Sequence, residues 1–154
     1  MNNTKRRGTR ELALCGMLAA MAMVFSYIES LLPIPYPFPG MRLGFANIAI
    51  ISALYLYGAR DAFIINIIRI VLSGLLFGNF NTFVLGFAGG MVSTAVMSLL
   101  KKSNKINIVA VSAVGGVCHN ITQVIVAMIL LSTPTLVFMT PIFIVLGVIT
   151  GVVC

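Results

Sequence analysis

The sequence predicts an all-α, polytopic integral membrane protein with six transmembrane helices. Three observations predict it. The chain is 60% hydrophobic and only 8% charged over 154 residues. Its mean hydropathy is +1.10. Its basic residues gather at the ends of apolar runs that are close to span length. A soluble domain carries about 25% charged residues. Ten Lys or Arg and three Asp or Glu cannot cover a water-facing surface, so a soluble globular fold is excluded. Disorder is excluded because it requires low hydrophobicity. A bilayer-spanning helix takes about 20 residues, which leaves room for roughly six spans with tight connections. No space remains for a soluble catalytic or nucleotide-binding domain.

Residues 1–11 form a basic N-terminus and residues 12–154 a single transmembrane domain. The first apolar run covers 12–32. Lys5, Arg6, Arg7 and Arg10 precede it, as they would a signal peptide. The run is too long for a typical signal core and no polar domain follows it, so it reads as a retained helix. Pro33, Pro35, Pro37 and Pro39 then forbid a helix and favour an extended connection. The second run, 43–57, is short for a span. Gly58-Ala59-Arg60-Asp61 reads as a turn. The third run covers 62–77, extending to about Phe80, with a second turn at residues 78–81. The fourth covers 82–100 and stops at Lys101, Lys102 and Lys105. The fifth covers 106–131, before Ser132-Thr133-Pro134. The sixth covers 136–153, and the chain ends abruptly at Cys154, as expected of a short or trimmed tail.

The net charge of +7 marks topology, not nucleic-acid binding. With six spans and a cytoplasmic N-terminus, Lys5, Arg6, Arg7, Arg10, Arg60, Lys101, Lys102 and Lys105 all fall inside. Arg42 falls outside and Arg69 within a span. Both termini are then cytoplasmic, and the proline-rich connection is the longest outer loop. Cys15, Cys118 and Cys154 lie far apart in apolar stretches and read as ordinary packed thiols.

Small residues let membrane helices approach closely. The first helix carries Gly16, Ala19, Ala20, Ala22 and Ser26. The fourth carries Gly86, Gly89, Gly90 and Ser93, and the fifth Ser112, Gly115 and Gly116. They serve internal packing, or one face docks another membrane subunit, most naturally the face on the first helix.

Polar groups within a span say more, because burying an Arg or Asp in hydrocarbon costs roughly 2.5–3.5 kcal/mol on insertion scales. Asn66, Arg69 and Ser73 share one face of the third helix. Arg69 is expected about 10 Å beyond the cytoplasmic end of its run. It reads as a contact for carbonyls, a phosphate-bearing ligand or a lipid headgroup, or as a snorkelling cation. On the fifth helix His119 and Gln123 share a face, flanked by Asn120, with His119 expected about 20 Å from the cytoplasmic side. Glu29 closes the first helix, and Arg42 and Asn47 open the second. Glu29, Arg42, Asn47, His119 and Asn120 therefore converge in the outer half if the bundle brings their helices together. They line a ligand pocket, or they form interhelical hydrogen bonds and a surface Glu29–Arg42 ion pair.

Several chemistries have no residues to carry them. No phosphate-cradling G-x-x-x-x-G-K-[ST] loop occurs, so the chain cannot power transport with ATP by itself. Prenyl diphosphate chemistry usually needs clustered aspartates to hold magnesium, and Asp61 is the single aspartate. With Glu11 and Glu29 as the other carboxylates, paired acid–base catalysis is unsupported. Cys118 and His119 are adjacent on a helix and point about 100° apart, which argues against a nucleophile–base pair or a metal site. No cofactor and no enzyme activity are expected; binding is.

Residues 41–47 (Met-Arg-Leu-Gly-Phe-Ala-Asn), 57–62 (Tyr-Gly-Ala-Arg-Asp-Ala), 68–78, Ala88-Gly89-Gly90 and 116–123 (Gly-Val-Cys-His-Asn-Ile-Thr-Gln) carry a resemblance. From about Thr9 onward the chain resembles a family of small bacterial membrane proteins named both heptaprenyl diphosphate synthase component I and Gx transporter. The resemblance implies a six-helix bundle related to the S components of energy-coupling factor (ECF) transporters. Those components bind vitamins or similar small molecules near the outer face. They dock through small residues of the first helix on a membrane coupling subunit attached to two ATPases. Gly16, Ala19 and Ala20 would occupy that docking region.

The leading expectation is thus an S-component-like, substrate-binding subunit of an uptake transporter in the bacterial cytoplasmic membrane. Glu29, Arg42, Asn47, His119, Asn120 and Gln123 would contact the ligand, with Asn66 and Arg69 supporting the helices or meeting an anionic group. The alternative is a non-catalytic membrane auxiliary of polyprenyl diphosphate or quinone synthesis, in which Arg69 and the cytoplasmic lysines hold diphosphate and lipid-facing grooves the prenyl chain. A small scaffold in a membrane assembly is the third possibility. Reporter fusions after Phe38 and after Lys102 test the topology: opposite sides are expected, and a common side refutes six spans.

Overall fold

The computed structural model describes residues 9–31, 44–77, 79–102 and 106–153. Within them the chain forms six α-helices, α1 (Thr9–Leu31), α2 (Asn47–Tyr57), α3 (Ala59–Phe77), α4 (Phe80–Lys102), α5 (Ile108–Leu131) and α6 (Thr140–Val153). A 3-10 turn, Pro134–Met139, leads into α6. The proline-rich connection and Arg42 lie outside the described residues. Three helices have the length and apolarity to cross a membrane: α1 from Ala13, α4 and α5. α3 has 19 residues but carries Arg60, Asp61 and Arg69.

The order of polarity marks a membrane protein. Leu75, Phe80 and Ile129 are each more than 70% exposed, whereas Asn66, Asn120 and Gln123 are wholly buried. A water-soluble fold would reverse this arrangement. In hydrocarbon, apolar side chains lose nothing by facing out, and polar ones gain by facing each other.

Several boundaries shift by two to four residues from the sequence expectation: α1 starts at Thr9, α2 only at Asn47, and Phe80 and Asn81, expected in a turn, already belong to α4. The turn expected over residues 58–61 shrinks to one residue. Gly58 takes φ +98°, and its N–H still closes α2 by donating to Leu54 O at 3.1 Å. Ala59, Arg60 and Asp61 then form the first turn of α3, where an aspartate suits the positive end of the helix dipole. Lys101 seals the same corner: its Nζ donates to Leu54 O at 2.6 Å and lies 5.1 Å from the centre of the Tyr55 ring. Leu54 O thus accepts two donors, the Gly58 N–H and the Lys101 ammonium, one on each lone pair. At the other end of the chain, the expected sixth run begins as the 3-10 turn, with Pro134 in its first turn. The α-helical part is 14 residues long.

α2 is the shortest helix. Its 11 residues span about 16 Å, against a hydrocarbon thickness of about 30 Å. With its C-terminal end tied to Lys101, its N-terminal end stops within the protein.

Two apolar clusters flank the interior. Leu18, Ile50, Leu54, Ile65, Met97 and Val111 belong to one; Leu85, Val124, Ala127 and Phe143 form the other. Along α4 and along α5 the buried residues between these clusters are glycines and polar side chains. The buried face of α1 is Leu18, Ala22, Ser26 and Glu29, at helical spacing. Several hydroxyls bond back to their own helices: Ser52 to Ile48 O, Thr94 to Gly90 O, Ser98 to Thr94 O, Thr122 to Cys118 O and Thr150 to Leu146 O, at 2.7–2.9 Å.

α5 sits between α4 and α6, and glycines set both approaches. Ser93 Oγ on α4 donates to Gly115 O at 2.8 Å. Across α6, a Cβ at Gly116 would lie 2.5 Å from Gly147 O, and one at Gly147 would lie 2.9 Å from Gly116 O. These obstacles are backbone and cannot rotate aside. Gly116→Ala is expected to destabilise the purified protein by about 1–3 kcal/mol, seen as a lower unfolding temperature in detergent. Gly16→Ala, with nothing within 4 Å of its Cβ, should leave that temperature unchanged or raise it.

Candidate functional site

The candidate site is a polar layer between the two apolar clusters. It begins where α2 begins. Gly44 takes φ +92°, a conformation that glycine alone adopts readily. Its carbonyl accepts the Asn47 N–H at 2.9 Å, which starts the helix. Its own N–H donates to Glu29 Oε1 at 2.6 Å. Glu29, near the end of α1, is 3% exposed. Glu29 is thus buried, whereas one of the two sequence readings placed it at a surface; the expected Glu29–Arg42 ion pair itself lies outside the described residues because it needs Arg42. This carboxylate is buried and engaged with backbone at the positive end of α2, where a negative charge is stabilising.

His119 faces the same glycine. A Cβ at Gly44 would lie 3.2 Å from Asn47 Nδ2 and 3.4 Å from His119 Cδ2. On its other side His119 meets α4: a Cβ at Gly89 would lie 3.0 Å from His119 Nδ1 and 3.1 Å from Gln123 Cγ. The imidazole is thus held between two side-chain-free stretches of backbone. The Gln123 Nε2–His119 Nε2 contact is 3.0 Å. With the amide nitrogen as donor, Nε2 accepts, and the neutral ring carries its proton on Nδ1.

One residue along α4 the layer reaches α3. A Cβ at Gly90 would lie 3.0 Å from Asn66 Nδ2, and Asn66 Nδ2 donates to Thr94 Oγ1 at 2.9 Å. Arg69 and Ser73 follow on the same buried face, each 3% exposed. On the far side of α5, Asn120 Nδ2 donates to Phe143 O on α6 at 3.0 Å. Three amide atoms in this layer have no hydrogen-bond partner among the described residues: Asn47 Nδ2, Asn66 Oδ1 and Asn120 Oδ1. Leaving a buried polar atom unsatisfied costs roughly 1–3 kcal/mol.

Of the eight residues expected to bind ligand, Glu29, Asn47, Asn66, Arg69, His119, Asn120 and Gln123 are all buried in the described structure. Glu29, Asn47, His119 and Gln123 share the surroundings of Gly44 and Gly89. Arg42 lies outside the described residues. The depth expectation changes. α3 begins at Ala59 and α5 at Ile108, so Arg69 lies about 15 Å and His119 about 16 Å from the starts of their helices. Along their helices the two residues thus stand at similar distances from the starts, against the expected values of about 10 and 20 Å. Gly44 and Thr94 were not expected to belong to the site. The φ of Gly44 and the register of α4 against α3 are long-range outcomes; the Gly89-Gly90 pair was visible only as a packing signal.

Gly16 and Ala20 are exposed on α1, and Ala19 is partly buried against the cluster that holds Leu18, Leu54 and Ile65. Gly16 and Ala19 line a lipid-facing groove between α1 and α3 with Cys15, Asp61, Ile64, Ile65 and Ile68. Cys15 and Cys118 are free thiols. Among the described residues no group of three His, Cys, Asp or Glu is placed to hold a metal ion.

The Glu29 contact makes a graded prediction. Glu29→Ala removes the Gly44 partner and should cost about 2 kcal/mol, the scale of a charge-assisted hydrogen bond. Glu29→Gln keeps an acceptor and should cost less than half of that. Thermal unfolding of the purified variants checks the order.

No curated protein and no solved structure matches the chain. A family profile described as heptaprenyl diphosphate synthase component I matches residues 18–154. That span takes in all of the polar layer and all but the first turns of the bundle, and the chain belongs to the heptaprenyl diphosphate synthase component I family.

Proposed function

We propose that this chain is a non-catalytic, membrane-embedded component that binds a small molecule in its polar layer and works with a partner. The observation that carries the binding role is the set of unpartnered buried amide atoms of Asn47, Asn66 and Asn120. Buried polar atoms that lack partners are natural contacts for a ligand or ordered water. Glu29, Arg42, His119, Gln123 and Arg69 would complete the contacts.

The family description favours a partner in polyprenyl diphosphate formation, since a component I implies another component. On this reading the chain is a membrane auxiliary of the synthase. A single aspartate cannot provide the magnesium-holding clusters of a prenyl diphosphate synthase, so the chemistry falls to the partner. Arg60 and Lys102, both exposed, would attract the diphosphate at the cytoplasmic face of a bacterial membrane, and the apolar helices would lie along the prenyl chain.

A second reading, an S-component-like subunit of an ATP-driven uptake transporter, draws on two features. α2 is a half-length helix whose positive end meets a polar site inside the bundle, an arrangement suited to ligands within membranes. Gly16, Ala19 and Ala20 offer a small-residue face on α1 for a coupling subunit. On either reading six spans place both termini in the cytoplasm.

Gentle purification of the full chain, followed by mass spectrometry of retained proteins and small molecules, separates the readings. A co-purifying prenyltransferase subunit is expected. ATPases with a membrane coupling subunit would replace that reading with transport. Prenyl diphosphate synthesis by the isolated chain would overturn the non-catalytic role. Retention of the small molecule should fall in His119→Ala and Asn120→Ala; wild-type retention in both would remove them from the site.

A further inference from the structure

His119 is the chain's one histidine and Gln123 its one glutamine. They stand one turn apart on α5, and both are enclosed: His119 is 1% exposed and Gln123 0%. Their side-chain nitrogens meet at 3.0 Å, with the amide donating to a neutral ring. Few ionisable groups surround the ring. α4 faces it with Gly89, and Lys101 and Lys102 stand at the far end of that helix. α6 carries no ionisable residue, and those of α2, Tyr55 and Tyr57, lie at the end away from Gly44. Cys118 precedes the ring on α5 and points about 100° away. Arg69 is buried on α3. The buried Glu29 carboxylate binds Gly44, against which the ring also lies. Arg42, expected at this site, lies outside the described residues.

Two amides of the layer are oriented by groups that can only accept from them. Thr94 directs its own hydrogen to Gly90 O at 2.8 Å, so it meets Asn66 with a lone pair and takes the Nδ2 side of that amide. Phe143 O fixes Asn120 Nδ2 in the same way. Asn66 Oδ1 and Asn120 Oδ1 are thereby left as buried acceptors without a partner among the described residues. A molecule bound in this layer is met mainly by acceptors and has to supply N–H or O–H groups.

We propose that His119 and Gln123 form a proton-operated switch that releases a hydrogen-bond-donating small molecule from the polar layer. The switch rests on the binding role proposed above and adds its regulation. In the neutral form the Gln123 amide gives an N–H to His119 Nε2, and its Oε1 lies on the opposite side as a further acceptor. A proton taken up from water at Nε2 makes both ring nitrogens donors. Two donors then face each other. Turning the amide by half a rotation about its last torsion resolves the conflict: Oε1 accepts from the new Nε2–H, and the NH2 group takes the place Oε1 held. That torsion is soft and roughly two-fold, and the two ends of a carboxamide are similar in size, so the turn needs no extra room. The acceptor offered to the small molecule becomes a donor, and the Glu29 carboxylate offsets the ring's new charge. One N–H bond forms, no other covalent bond changes, and the layer gains one proton.

The single histidine and single glutamine make the test direct. The full chain, carrying isotope-labelled histidine and glutamine, is followed by NMR in mild detergent without added ligand. The pH is varied between about 5 and 8, the range in which histidine changes charge. At the upper end a nitrogen–nitrogen coupling across the Gln123–His119 hydrogen bond is expected. On acidification the imidazole should titrate, the coupling should be lost, and the Gln123 amide signals should shift with the same midpoint while the protein stays folded. An imidazole that does not titrate would overturn the switch. So would a coupling absent throughout or persisting through the titration, or unfolding before the ring titrates. The binding role is judged separately. A retained small molecule on a chain whose pair is silent to pH keeps the binding role and removes the switch. A pair that switches in a chain retaining no small molecule removes the binding role, and the release with it.

Discussion

The helical part of α2, 11 residues, is shorter than the hydrocarbon is thick, and the rest of the interior follows from that constraint. A helix that stops part-way leaves N–H groups where water does not reach. In hydrocarbon each must be satisfied by the protein. The Glu29 carboxylate does this at Gly44. A charged acceptor is stronger than a neutral one, and it also complements the positive end of the helix. The requirement brings the end of α1 to the start of α2 and holds both against His119. A polar layer is then less costly to extend, because each new amide or hydroxyl finds polar neighbours.

Close approach of backbones makes the layer possible. Gly89 and Gly90 lie side by side on α4 and serve different neighbours, the first α5 and the second α3. A methyl group on either would press on an imidazole or on an amide. Gly116, Gly147 and Gly151 do the same between α5 and α6. In lipid, packing and hydrogen bonds replace the hydrophobic effect as the force between helices. The apolar clusters above and below the layer then supply contact and exclude water.

Much of this was legible in the sequence. The apolar runs located all six helices, since few soluble elements resemble a run of about 20 apolar residues. The shared faces of Asn66, Arg69 and Ser73, and of His119 and Gln123, followed from helical periodicity. What periodicity could not provide was register between helices. That Asn66 reaches Thr94, or that Gly89 lies beside His119, depends on how α3, α4 and α5 slide past each other. The corner at Gly58 was misread for a local reason: Ala59-Arg60-Asp61 is polar enough for a turn, yet its residues also make a good first helical turn. For Glu29 the sequence left a pocket and a surface ion pair open, because the residue stands near the end of an apolar run. The contact that decides between them includes Gly44, fifteen residues away.

The serines and threonines that bond to carbonyls of their own helices carry a consequence for selectivity. Ser52, Thr94, Ser98, Thr122 and Thr150 each direct a hydroxyl hydrogen at a carbonyl of the preceding turn. Those hydroxyls are turned inward on their helices and offer a visitor little. On the proposed binding role, half of the groups that would read a guest molecule are carboxamides, those of Asn47, Asn66, Asn120 and Gln123, fixed in plane, each with one edge that gives and one that receives. Recognition in such an interior would work by the pattern of edges, much as one base reads another, together with the buried charges of Glu29 and Arg69.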